Sequence, residues 1–202
     1  MALDTRERVR RAAVKLFATK GFHGTGIRDL AQESNLSTAS LYHYMGSKEE
    51  LLADIMRDCL RTLLDSAEAE LTGLTDPVER LRRLVKLHVR AHARKPRETR
   101  IVDHELHVLA PTTRRSIVEL RDAYERLWAD AVGDGVASGV FTTAHPGVTR
   151  IALLEMCNGV ARWYSARGSL SLDDLATHYA EVALRAVGAC PQRSAEGQSR
   201  GE

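Results

Sequence analysis

The stretch TGIRDLAQESNLSTASLYHYMGSK, residues 25–48, restricts the fold more than any other part of the chain. It reads as two short helices joined by a tight turn, with a third helix starting directly afterwards. Ile27, Leu30 and Ala31 fall at i, i+3 and i+4, which gives the first helix a single apolar face. Asn35 sits where that helix should end in a left-handed residue, a conformation Asn tolerates better than most side chains. Ser37 is placed to cap the second helix by accepting from a free backbone N–H. Leu36, Leu41 and Tyr44 can pack inward, which leaves Thr38, Ala39, Ser40, Tyr42 and His43 outside. A face of small and hydrogen-bonding side chains suits a helix lying in a DNA major groove, where bulky or acidic groups are excluded.

Charge supports that reading locally rather than globally. The 202-residue chain carries a formal net charge of only +2. Through Lys48, however, eight basic side chains face four acidic ones (Asp4, Glu7, Asp29 and Glu33). Such an excess attracts phosphate, although a solvated basic helix face has the same composition. Hydrophobic residues make up 44%, which is enough for a packed core, and 14 Gly with 5 Pro favour helix. The charged start and the lack of any apolar run near 18 residues argue against secretion and membrane spanning, and for a reducing cytoplasm. Cys59, Cys157 and Cys190 are too widely spaced to suggest a disulfide framework or a zinc pattern.

The rest of the chain repeats helical spacing. Asp4 and Glu7 have capping-box spacing ahead of the stripe Val9, Ala12, Ala13, Leu16 and Phe17, and Gly21 ends that helix. Ser47 and Glu50 form a second box, opening a long connecting helix over about 48–72 that Gly73 closes. Pro77 begins a helix with the stripe Leu81, Leu84, Val85, His88, Val89 and His92. A shorter helix is expected from Glu98 to Leu109. A further one carries Ile117, Leu120, Tyr124, Leu127 and Trp128, weakened at its far end by Gly133, Gly135 and Gly139. Val140 to Ala144 reads as a loop. One helix then runs from Pro146 through Trp163 to Gly168, and the last starts at Asp173 and Asp174. The expectation is an all-α chain of about nine helices. Its expected parts are a helix-turn-helix unit over 1–52, an effector-binding and dimerisation domain over 73–190, and a disordered tail over 191–202.

Residues 9–52 resemble the N-terminal domain of the TetR family of bacterial transcriptional regulators. The resemblance rests on Ala13 to Phe17, Gly21-Phe22, Thr25, Ile27 to Ala31, Leu36-Ser37, Leu41 to Tyr44 and Ser47 to Leu51. Gly26 stands where that family often has Ser or Thr, and Asn35 replaces the usual turn Gly. The resemblance implies a homodimer, its last two helices pairing as a four-helix bundle. Two reading helices would then enter successive major grooves of a palindromic operator, roughly 34–36 Å apart. It also implies a cavity in the C-terminal helices, where a small-molecule effector shifts the long helix and releases DNA. Arg162-Trp163-Tyr164, followed by Gly168, Leu170-Ser171 and Asp174, is similar to a subset of these repressors that govern lipid and steroid catabolism and respond to acyl-CoA thioesters.

On this reading the candidate DNA-contacting residues are Thr25, Arg28, Ser37, Thr38, Ser40, Tyr42, His43 and Lys48. Arg28 is the candidate for bidentate guanine readout, and Lys48, at a helix N-terminus, for a phosphate. Each also has a plainer reading as a capping or solvated side chain. The candidate effector-binding residues are His88, His92, His104, Trp128, Arg162 and Trp163, with Arg162 answering an anionic ligand. Trp163 and Tyr164 are equally readable as packing of the dimer bundle. His88 and His92, at i and i+4, with Asp103, His104, Glu105 and His107 nearby, have the donor types of a transition-metal site. The competing reading is therefore a metal or small-molecule sensor centred on those histidines. No hydrolase motif accompanies them, so no enzymatic activity and no cofactor are expected.

Overall fold

The computed structural model describes residues 4–189. Among them lie nine α-helices of eight residues or more, a single-turn helix and one 3₁₀ turn, and no strand. They are α1 (Thr5–Lys20), α2 (Ile27–Ser34), α3 (Thr38–Met45), α4 (Lys48–Leu71), α5 (Pro77–Arg94), α6 (Pro96–His104), α7 (Pro111–Ala137), α8 (Pro146–Asn158), α9 (Val160–Trp163) and α10 (Leu172–Ala186). The 3₁₀ turn covers Leu106–Val108, between α6 and α7. No helix among the described residues is long and apolar enough to cross a membrane. The tail expected to be disordered, 191–202, lies outside them.

Most helix boundaries follow from local chemistry. Asn35 adopts φ 55° and ψ 52°, so the chain leaves α2 through the left-handed residue expected there. Ser37 Oγ accepts from Ser40 N at 3.1 Å. At α4, Glu50 N donates to Ser47 Oγ at 3.0 Å and Ser47 N donates to Glu50 Oε2 at 2.7 Å, completing the capping box. Asp76 caps α5 by accepting from Val78 N and Glu79 N. The box expected at Asp4 does not form, because Glu7 instead accepts from Arg11 at 2.8 Å. The Gly26 N–H donates to Asp29 Oδ2 at 2.9 Å, which anchors the start of α2.

Three segments depart from the sequence reading. The helix expected over Glu98–Leu109 starts earlier, at Pro96, and stops at His104, where the 3₁₀ turn takes over. The helix expected from Pro146 to Gly168 is interrupted at Gly159, which separates α8 from the single turn of α9. The loop after α7 is not peripheral: Phe141 is buried and packs over Gly135, where an added Cβ would lie 2.0 Å from the ring. Gly135 thus serves close packing rather than weakening the helix.

Two apolar clusters hold these helices. The first joins Val9, Ala13, Phe17, Leu30, Leu41, Leu52, Ile55 and Met56, and it recruits Ile101, Leu109 and Ile117 from α6, α7 and the segment between them. The second joins Leu81, Leu84, Val85, Val89, Tyr124, Trp128, Leu153, Leu175 and Ala180. α5 runs through the middle of the second, touching α4, α6, α7, α8, α9 and α10. Because α4 and α7 contribute to both clusters, movement in one is mechanically available to the other.

Candidate DNA interface and ligand cavity

The α2–turn–α3 unit turns the expected face outward. Arg28, Ser37, Thr38, Ser40, Tyr42 and His43 are exposed, whereas Leu41 and Met45 are buried against α1 and α4. Tyr42 leaves 51% of its surface in solvent, unusual for a large aromatic with no partner covering it. The acidic residues of α2 are turned to other work. Asp29 accepts from Gly26 N and pairs with Lys20 at 3.3 Å, which together hold its carboxyl below the usual range. Glu33 pairs with Lys15 at 2.7 Å. The outward face of α3 itself contains no acid.

Two of the eight candidates lie differently from the rest. Thr25 is buried, its hydroxyl donating to Gly21 O at 2.8 Å, so its side chain shapes the turn before α2 and is not presented to solvent. Lys48 is half-buried. Its ammonium donates to Phe22 O at 3.0 Å and Thr25 O at 2.9 Å, and sits 4.2 Å above the Phe22 ring. Two of its three donors therefore fix the α1–α2 loop to the start of α4, and one is left over.

Farther along the chain, a cavity of about 500 Å³ opens between α4, α5, α6, α7, α8 and α9. Leu60, Leu63, Val102, Ile151 and Leu154 supply apolar wall, and Asp103, His104, Arg121, Glu155, Asn158 and Arg162 supply polar groups. A second cavity of about 610 Å³ shares Cys59, Leu63 and Thr99 with it and is rimmed by Arg90, Arg94 and Lys95. Of the six candidate effector residues, His88, His92, His104 and Arg162 line the first cavity. Trp128 is fully buried behind it, edge-on to His88 with centroids 5.6 Å apart. Trp163 is 55% exposed and stacks on Tyr179 instead. Neither tryptophan reaches the cavity wall, because the aromatic at 128 fills the core and the one at 163 follows the break at Gly159.

The histidines form a stacked pair, with rings 4.0 Å apart and 12° from parallel. His88 Nε2 lies 2.8 Å from Asn158 Oδ1, and its Nδ1 lies 3.0 Å from the Tyr124 hydroxyl. Both nitrogens are thus committed. Burial drives the His88 pKa well below its ordinary value and that of His92 down to about 4, so both rings are neutral at pH 7. Among the described residues no group of three or more His, Cys, Asp or Glu side chains comes together to hold a metal ion. The stacking explains why: side chains at i and i+4 offered two nitrogens, but here the rings lie face to face and hydrogen-bond along the helix and across to α7 and α8. Asp103 is the most perturbed acid, its carboxyl pushed up to about 7 mainly by burial and then by Glu155, against Arg162 and Arg121. Cys59 and Cys157 are free thiols raised by burial to about 11 and about 12, which removes thiolate chemistry at neutral pH. Tyr124 was expected only as part of an apolar stripe and Asn158 not at all; the one visible signal was Asn158, a polar residue set among Leu153, Leu154, Met156, Cys157 and Val160.

Sequence families match both halves of this arrangement. Residues 9–55 match the bacterial regulatory proteins of the tetR family, and residues 74–187 match the tetracyclin repressor-like C-terminal domain. The chain belongs to the TetR family. Among similar proteins is the HTH-type transcriptional repressor KstR2 of Mycolicibacterium smegmatis, 27% identical over 184 residues and 90% of each chain. The TetR-family regulator PfmR of Thermus thermophilus is 34% identical, with 88% of this chain and 97% of that one covered and a TM-score of 0.77. AibR, solved with isovaleryl coenzyme A and operator DNA, shares the fold at 22% identity, with 93% and 100% covered and a TM-score of 0.81. The α2–turn–α3 unit lies within the N-terminal match, and the cavity is lined mainly by the C-terminal one, with Cys59, Leu60 and Leu63 of α4 completing its wall.

Proposed function

We propose that this TetR-family regulator is a homodimeric repressor that binds a palindromic operator through α3 and is released by a small-molecule effector, an acyl-CoA or another lipid-derived compound, held in the α4–α9 cavity. The observation that carries the reading is the pairing of two features in one chain. One is an acid-free outward helix face that leaves Tyr42 uncovered; the other is a cavity whose wall includes the helix leading into that face.

Arg28, Thr38, Ser40, Tyr42 and His43 are assigned to bases and backbone, and Ser37 to a phosphate beside its capping bond. Lys48 offers its remaining N–H to a phosphate while holding the α1–α2 loop, and Thr25 acts by setting the turn. DNA reading is assigned to 1–52 and effector and partner binding to 73–190, with Cys59, Leu60 and Leu63 of the intervening α4 adding to the cavity wall. Val148, Ile151 and Trp163 are exposed on α8 and α9, as expected of helices that meet a second copy.

The lipid-thioester class is favoured by the shape of the paired cavities. A chamber of mixed apolar and charged wall adjoins a second one where Arg90, Arg94 and Lys95 stand with Glu70 and Asp173, and the apolar wall with a cationic excess suits an acyl chain joined to an anionic carrier. The relative named a transcriptional repressor agrees with the sign of regulation. The test is gel-shift binding of the full-length protein to the DNA upstream of its own gene. Wild type should bind with a steep salt dependence, and Tyr42→Ala should bind at least tenfold more weakly with an unchanged helical circular-dichroism spectrum. Equal binding by both proteins would remove α3 as the reading helix.

A further inference from the structure

The outward face of α3 is short of the side chains that usually read bases. Thr38–Met45 contains no Arg, Lys, Asn or Gln, and those are the residues that grip purines bidentately in the major groove. The serine hydroxyls around its first turn bond each other: Ser37 Oγ accepts from Ser40 N at 3.1 Å and donates to Ser40 Oγ at 2.9 Å. Leu41 and Met45, four residues apart, are buried, so the opposite side of the helix is the part that enters a groove deepest. Ala39 and His43, again four apart, occupy that side, and both are exposed. Thr38 and Tyr42 flank them on one edge and Ser40 on the other. Recognition helices meet base edges chiefly through their first residues. At that point α3 presents a bare methyl group.

We propose that Ala39 sets operator specificity by packing its methyl group on the C5 methyl of a thymine in each half-site. Of the four ordinary bases only thymine presents an apolar group in the major groove. A methyl neither donates nor accepts, so opposite guanine, adenine or cytosine it would cover polar edge atoms without pairing them. The small side chain also lets the α3 backbone come close to the base edges, which a longer one at 39 would prevent. His43, a turn further on, brings single hydrogen bonds rather than a fork, and Arg28 is the one guanidinium of the α2–turn–α3 unit. Discrimination along α3 therefore comes from methyl contact, with purine readout left to α2. The assignment rests on α3 being the reading helix and deepens that reading by naming the base it selects.

The test starts from operators enriched by the full-length protein out of a library of random DNA duplexes. Each thymine of an enriched half-site is then replaced in turn by deoxyuridine, which deletes the C5 methyl and leaves every hydrogen-bonding edge intact. One thymine per half-site should lose about fourfold in affinity on replacement, and about fifteenfold when both half-sites are changed, the order of one buried methyl group each. Ala39→Gly should bind the thymine operator more weakly and no longer distinguish it from the uracil one. Ala39→Ser, in a first turn where serine is well tolerated, gives the same answer if the glycine variant fails to fold. Ser40→Ala, on the flank, should keep the full difference. Enriched half-sites without a fixed thymine, equal binding of thymine and uracil operators, or variants at 39 that keep the uracil penalty would overturn the assignment. An enriched operator indifferent to uracil removes this inference alone, whereas the absence of any enriched sequence removes operator reading by α3 along with it.

Discussion

Around the cavity, single residues set opposing responses to pH. His88 and His92 are neutral when folded and take up protons on unfolding, so stability falls as pH drops below about 6.5 toward about 4. Asp103 acts with the opposite sign. Its folded pKa of about 7 exceeds the ordinary 3.8, so between those values the folded state holds the extra proton and its contribution is lost as pH rises. Asp103→Asn removes that opposing slope, and denaturation between pH 4.5 and 7.5 should show a steeper acid loss than in wild type; a shallower loss would contradict the burial of this carboxyl. Two glycines of α7 make a second contrast. Gly135→Ala should destabilise by about 1–2 kcal/mol, because the clash with Phe141 outweighs the gain in helix propensity. Gly133→Ala meets nothing within 4 Å and should stabilise by up to ~1 kcal/mol, both read by thermal unfolding. From sequence the two glycines were indistinguishable, because the aromatic that decides between them arrives from the following loop.

Among elements, α6 has the most to transmit. Thr99, Arg100, Val102, Asp103 and His104 line the cavity, and one residue beyond its end Glu105 Oε1 accepts from Phe22 N at 3.3 Å, beside the loop that Lys48 holds. Glu49, at the start of α4, accepts from Ala110 N at 2.8 Å on the same side. On the proposed reading, movement of α6 on ligand binding would reach the α1–α2 loop directly, besides any shift of α4. Glu105→Ala should leave effector affinity unchanged while reducing severalfold the ratio of operator affinities with and without effector. An unchanged ratio would place the transmission in α4 alone. Caps at Ser37, Ser47 and Asp76 were legible because capping is a local bargain between neighbours in sequence. The ends of α6 and α8 were not, since Gly159 keeps right-handed dihedrals of −54° and −28° and Glu105 is committed to a residue 83 positions away. The exposure of the candidate DNA-contacting residues was readable for the same local reason, apart from Thr25 and Lys48, which bond to carbonyls of the α1–α2 loop. Cavity residues were half readable: the histidine spacing pointed to the place, but the stacking and the Tyr124 and Asn158 partners belong to tertiary packing.

At the scale of the whole molecule, the two clusters divide the chain without separating it. Ile101, Leu109 and Ile117 bind the C-terminal helices to the DNA-facing core, so the reading head and the cavity share buried surface. A single protomer presents one α3, and the proposed palindrome demands two, so on that reading the second copy is part of the function rather than an addition to it. The central claim is effector-released binding to an inverted repeat. A footprint of the full-length protein on the DNA upstream of its own gene, with and without octanoyl-CoA, tests it most directly. Protection of two half-sites about one helical turn apart, lost when the thioester is added, is the predicted result; a footprint with no inverted repeat, or one that persists at saturating thioester, would contradict it.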